Sequence, residues 1–191
     1  MIQHELHKKI PRDLQGNLRW RAFVLTKAKN DPELQQALAK YCAMDILFYI
    51  CTFVWQCNPN AKENDEEPKV GPFITWKCQE RAILSDSPEK PGILWFIRNR
   101  EDGCIEKSRE MGATWLLLIV FDWLGPFNAY YDWLHMSKSA NAVDDQTRQS
   151  LFGKFRFINE HLPIYLHNPE KFTDNKNAFI YGNTHSTGKG F

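Results

Sequence analysis

No Cys-x-x-Cys pair occurs in this sequence; its five cysteines (Cys42, Cys51, Cys57, Cys78, Cys104) are scattered. That scatter excludes the common zinc and dithiol redox motifs. An odd cysteine count without a signal peptide fits a reducing cytoplasm. Charge of one sign is also missing. The 24 Lys and Arg stand against 23 Asp and Glu, for a net charge of +1. Global charge therefore gives no argument for a nucleic acid or a membrane surface, and a DNA partner would need local patches. No apolar run reaches the ~20 residues of a membrane span. The most apolar stretch, WLLLIVFDWL, is interrupted by Asp122 and reads as a helix buried inside a domain. There is no internal repeat. His4 and His7 are too isolated for a metal site and read as a frayed, solvated first helix turn.

What is present is a globular composition. The chain has 191 residues, 43% hydrophobic and 14% aromatic, enough for one domain with a real core. Asp31-Pro32 starts a helical stretch that runs through PELQQALAKYCAMDILFYICTFVWQC. Residues 1–59 thus read as a helical region. Residues 60–71 begin with the charged NAKENDEEPK and read as a linker. Residues 72–191 read as an α/β domain, with the following elements. A helix starts near Lys77 and is interrupted by Pro88 and Pro91; Ser87-Pro88 caps a second helix over GILWFIRNR; Asp102-Gly103 is a turn. CIEK, YYDWLHMS and NAFIYG are strand candidates. Gly125-Pro126 ends the apolar helix. Asp144 or Asp145 caps a helix with a stripe of Leu151, Phe155, Ile158 and Leu162, ended by Pro163. The tail NTHSTGKGF reads as polar and flexible. Alternating strands and helices predict a parallel sheet with crossover helices, thin and unfinished at three strands.

The stretch KSREMGAT, residues 107–114, sits between a strand candidate and that apolar helix. It nearly matches the phosphate-binding pattern G-x-x-x-x-G-K-[ST]. Gly112 and Thr114 are in register, while Ala113 stands in the lysine position and Lys107 in that of the first glycine. Such a loop needs converging N–H groups, a helix N-terminus and a cation. Gly112 permits close approach, the helix from Ala113 supplies the dipole, and Thr114 supplies a hydroxyl for Mg²⁺. Lys107 and Arg109 could fold back over phosphates, Arg109 with a fork of donors. Taken alone, the same residues also compose an ordinary loop before a buried helix. A second near-match around Gly188-Lys189 is out of register with Gly182 and has no helix after it. In FITWKCQ, the carboxamide of Gln79 can both donate and accept, as an adenine edge requires, and Phe73 or Trp76 could stack on the base. Taken alone, these are also a helix-start glutamine and core aromatics.

Together these segments resemble the large subunit of the terminase of tailed bacteriophages, an ATP-driven motor that packages DNA into procapsids. DILFYICTFVWQCNPN looks like that family's aromatic-rich helix, and PFITWKCQERAI looks like its adenine-reading segment. IEKSREMGATWLLL is similar to its variant Walker A loop, K-S-R-x-M-G-[AS]-[ST]-W. LFGKFRFINEHLP and NAFIYGNTHSTGKG resemble the helix and strand that follow. The resemblance implies a P-loop ATPase with ATP and Mg²⁺ as cofactors. It implies phosphate contacts from Lys107 and Arg109 as the catalytic cations. The loop from Lys107 through Ser108, Arg109, Glu110, Met111, Gly112 and Ala113 to Thr114 would be the cradle, with Thr114 on the metal and Phe73, Trp76 and Gln79 on adenine. Catalysis there rests on positioning and electrostatics. Double-stranded DNA, the portal of the procapsid, a small subunit and a homo-oligomeric ring are implied as partners, in the cytoplasm of the bacterial host.

Two departures stand out. Pro88 and Pro91 interrupt a region that is one helix in relatives. The family's Walker B strand, with its Asp-Glu, does not occur before Phe191. The expectation is a fragment of the motor, lacking the nuclease domain and hydrolysing ATP poorly or not at all. Two other readings stay open: a fragment of another P-loop motor such as a helicase, and a non-catalytic module whose aromatic-rich helices dock a partner.

Overall fold

The computed structural model describes residues 5–58, 69–108, 111–127, 134–166, 172–175, 178–182 and 187–190. Its centre is α3, Ile46–Phe53, in which every residue is buried. The sequence ILFYICTF carries no charge, so it can be surrounded on all sides. The long helix expected from Pro32 is therefore two helices, α2 (Pro32–Met44) and α3. Asp45 makes the break. Its extended backbone ends α2, and its carboxylate accepts the N–H of Phe48 at 3.0 Å to cap α3. His7, at the preceding 3₁₀ turn Leu6–Lys9, donates its backbone N–H to the same carboxylate at 3.0 Å and places its ring Nδ1 2.9 Å from it. His7 is thus a buried structural residue and not a solvated one; only its long-range partner, invisible in local sequence, makes that so. His4 lies outside the described residues.

At the other end of α3 the last carbonyls have no helical donor. Helix α1, Leu14–Ala28, supplies donors: Asn17 Nδ2 to the Cys51 carbonyl at 3.0 Å and Arg21 Nη2 to the Ile50 carbonyl at 3.2 Å. Arg21 is buried, and its Nε donates to Asn17 Oδ1 at 2.7 Å. It lies over the Trp55 ring at 5.1 Å and beside the negative end of the α3 dipole. These contacts offset part of the cost of burying the cation, while its Nη1 is buried without a hydrogen-bond partner. Burial lowers its pKa to about 9, so it stays charged at neutral pH.

Strand β1 (Trp55–Cys57) pairs antiparallel with β2 (Val70–Pro72), Trp55 facing Pro72 and Cys57 facing Val70. The expected linker residues between them fall mostly outside the described residues. Elements on both sides of it share one apolar cluster, from Val24, Leu38 and Ile50 to Phe73, Leu118 and Phe155. Helix α4, Lys77–Leu84, starts where the sequence places it. A short hairpin, β3 (Asp86–Ser87) and β4 (Lys90–Pro91), then carries Pro88 in its turn, and α5 spans Ile93–Asn99. Gly92, not Ser87-Pro88, is the N-cap of α5. The chain turns at Arg100, whose φ of 56° ends α5, and not at Asp102-Gly103.

Helix α6 covers Ala113–Phe127 and buries Leu116, Leu118, Ile119, Val120, Trp123 and Leu124. It continues through Gly125-Pro126. A proline in the last turn costs one hydrogen bond only, and Trp123 anchors this end by donating Nε1–H to the Cys42 carbonyl at 2.7 Å. Asp122 is buried on α6 because Tyr49 Oη donates to it and Asn159 Nδ2 donates to it at 2.8 Å. The short α7 (Ala140–Val143) leads to α8, Leu151–Glu160. Ser150 caps α8, not Asp144 or Asp145. Asp144 instead accepts both Nη groups of Arg156 at 2.8 Å, and Asp145 accepts from Thr147 in a local turn. Phe155, Ile158 and Leu162 enter the core as the stripe predicts.

The fold is a mixed α/β one, but the expected parallel sheet is absent among the described residues: every pairing is antiparallel. Residues 104–107, the first strand candidate, form no strand and are exposed. With only Cys104 and Ile105 apolar, this segment has no face to bury against a sheet. The second candidate, 130–137, lies partly outside the described residues, and its described part, 134–137, is irregular. The third is a strand, β6 (Ala178–Gly182), flanked by β5 (Phe172–Asn175) and β7 (Thr187–Gly190), with Phe172 facing Tyr181 and Gly182 facing Thr187. The tail read as flexible therefore supplies a paired strand. No described helix is long and apolar enough to cross a membrane.

Candidate functional site

The segment with Gln79 and the loop before α6 meet through one side chain. Gln79 is the third residue of α4. Its Oε1 accepts the Trp76 N–H at 2.9 Å, which closes the α4 N-terminus. Its Nε2 donates to the Met111 carbonyl at 3.1 Å, 32 residues away. Gly112 follows with φ +70°, and a Cβ there would stand 3.0 Å from Gln79 Nε2. Glycine suits this left-handed backbone and close approach. The Gly112 carbonyl then accepts the Leu116 N–H at 2.9 Å to open α6. As the residue ahead of the helix, glycine brings no side chain to cap it. The first N–H groups of α6 and the positive end of its dipole therefore lie at this junction. Thr114 is exposed on that turn and Ala113 is half-buried.

The other sequence candidates are distributed unevenly. Lys107 and Ser108 are exposed in an irregular segment, and Arg109 and Glu110 lie outside the described residues. Of the two ring candidates, Trp76 is 52% exposed and Phe73 is 3% exposed, a core residue whose N–H extends the β1–β2 ladder to Val54 at 2.9 Å. Gln79 is itself buried, with one N–H and one lone pair not used in these contacts. No group of three His, Cys, Asp or Glu side chains that could hold a metal occurs among the described residues. A magnesium ion at Thr114 would therefore depend on phosphate oxygens and water for most of its shell.

A second cluster, not visible in local sequence patterns, fixes the same helix start. Arg12 Nη1 lies 2.8 Å from Glu80 Oε1 and 2.8 Å from Thr75 Oγ1, and 3.1 Å from Cys51 Sγ. Thr75 donates to Glu80 at 2.8 Å. This ties the residues just ahead of α1 to both flanks of Trp76. Burial pushes the Cys51 thiol up despite Arg12, Thr75 and Arg21, which favours the neutral thiol here. The separation of 63 residues between Arg12 and Thr75 is why no motif exposes the pair.

No protein-family model matches this chain, and neither a curated protein nor a solved structure matches it.

Proposed function

We propose that residues 107–114 and the start of α4 form the nucleotide-phosphate site of a terminase-type packaging ATPase, of which this chain is the ATP-binding part. The observation that carries the reading is the Gln79–Met111 hydrogen bond, which ties the aromatic-glutamine segment to the glycine that opens α6. A helix N-terminus opened by a glycine suits phosphate oxygens. Lys107 and Arg109 would neutralise phosphate charge, Thr114 would hold Mg²⁺ with the phosphates, and the exposed Trp76 would stack on adenine beside Gln79. In such a motor the γ-phosphoryl group needs a base and a second metal ligand. The proposal for these residues is therefore confined to nucleotide binding. Double-stranded DNA, the portal, the small subunit, a ring assembly and the host cytoplasm follow from the same resemblance. A fluorescent ATP analogue titrated against wild type and an Arg109→Ala, Thr114→Ala double variant tests the site. Loss of binding in the variant is expected; equal affinity in both would sink the loop assignment.

A second reading is a non-catalytic helical module. It is favoured by the antiparallel pairing and by the absence of a strand at 104–107. It predicts a folded chain that ignores ATP and Mg²⁺.

A further inference from the structure

We propose that His135 is an acid-sensitive latch, holding segment 134–137 on the α6–α8 pair only while its imidazole is neutral. The ring is enclosed by three phenylalanines. Phe121 of α6 meets it edge-on at 5.2 Å, Phe152 of α8 edge-on at 6.2 Å, and Phe155 of α8 tilted at 6.2 Å. Its Nε2 is buried and has no hydrogen-bond partner. Its neighbours in the segment, Leu134 and Met136, are exposed, so His135 is the side chain that fastens this stretch.

Among the described residues, no acceptor meets the buried Nε2 and no carboxylate pairs with the ring. The one ionisable residue of α6, Asp122, takes hydrogen bonds from Tyr49 and Asn159. On α8, Lys154 donates to the Gln149 carbonyl, Glu160 lies 3.9 Å from Arg148, and Arg156 is held by Asp144. Arg156 also lies 6.0 Å from the Phe152 ring, its charge already matched by Asp144. In the segment and just beyond it, Lys138 is exposed and cationic. Burial depresses the His135 pKa from 6.5 to about 4. The closed state then binds fewer protons than the open one. The latch is fully effective above pH 6.5 and weakens as pH falls toward 4. From well above pH 6.5 to well below pH 4 the opening equilibrium rises by about 300-fold, the ratio set by the pKa difference, of which about 80-fold falls between pH 6.5 and 4.

The test is histidine-selective NMR on the full chain, with the His135 signal assigned by its loss in His135→Phe. It is paired with amide exchange corrected for the intrinsic pH dependence. The expected result is a His135 titration near pH 4 and faster exchange confined to 134–150, with α3 amides still protected. His135→Phe, a neutral ring in the same slot, should abolish the acid opening; His135→Leu serves if the phenylalanine variant does not fold. A wild-type His135 that titrates near 6.5, or titrates low without local opening, overturns the latch. So does α3 opening together with the segment, or a variant that opens as wild type does.

Discussion

Gly112→Ala probes the junction on which the proposed site depends. An L-residue held at φ +70° costs about 1–2 kcal/mol, and the loss of glycine's freedom in the unfolded chain returns about 0.4–1. The new Cβ also meets Gln79 Nε2 at 3.0 Å. That atom ends a flexible side chain, but the carboxamide is held at both ends, by Trp76 and by Met111. Moving it weakens a hydrogen bond of roughly 1 kcal/mol. The net destabilisation is about 1.5 kcal/mol, or a fall of roughly 3–6 °C in Tm for a chain of this size. Thermal unfolding followed by circular dichroism measures it. A cycle with Gln79→Ala separates the terms: without the carboxamide, Gly112→Ala should cost about 0.5–1 kcal/mol less. Gly112→Asn should be milder than Gly112→Ala, since asparagine tolerates the left-handed region. A Gly112→Ala protein as stable as wild type, with no coupling to Gln79, would refute the described junction.

Other perturbations have equally definite expectations. Gly153→Ala places a Cβ 1.6 Å from the Thr147 carbonyl oxygen, a backbone atom that cannot swing away. It should cost more than Gly112→Ala, on the order of 3 kcal/mol, read by urea unfolding. Asp122→Ala removes the shared acceptor of Tyr49 and Asn159. Two buried donors left without their acceptor imply a loss of about 3 kcal/mol, and Asp122→Asn should recover part of it. Ser150→Ala removes the α8 cap at Gly153 and should cost about 1 kcal/mol. With the His135 pKa depressed to about 4, wild-type stability should fall from pH 6.5 toward 4 by up to about 3 kcal/mol more than that of His135→Phe, in denaturant midpoints.

Local signals in the sequence carried most helices. Asp31-Pro32, the start near Lys77, the apolar run from Ala113 and the stripe Phe155–Ile158–Leu162 each declare themselves within one helix length. Misreadings arise where a distant partner decides. Asp45 splits one apolar run into two helices because it caps α3 and receives His7. Asp144 leaves the capping role to Ser150 because Arg156 claims both its oxygens. The sheet departs from the expected parallel one for another reason. Short apolar segments of three to five residues do not specify a partner, and antiparallel neighbours such as β5 to β7 need only short connections. At the candidate site, Gln79 and Gly112 were legible as residues, but the carboxamide's role in closing α4 onto Met111 was not. Arg12 and Glu80 were invisible for want of any local pattern.

Phosphate oxygens at the start of α6 should show in the amide spectrum of ¹⁵N-labelled chain titrated with ATP and Mg²⁺. Saturable shifts of the Gly112, Ala113 and Thr114 amides are expected, matched by the Trp76 indole and lost in the Thr114→Ala, Arg109→Ala variant. A well-dispersed spectrum that ATP leaves unchanged, or shifts only at residues remote from 107–114, would contradict phosphate binding there.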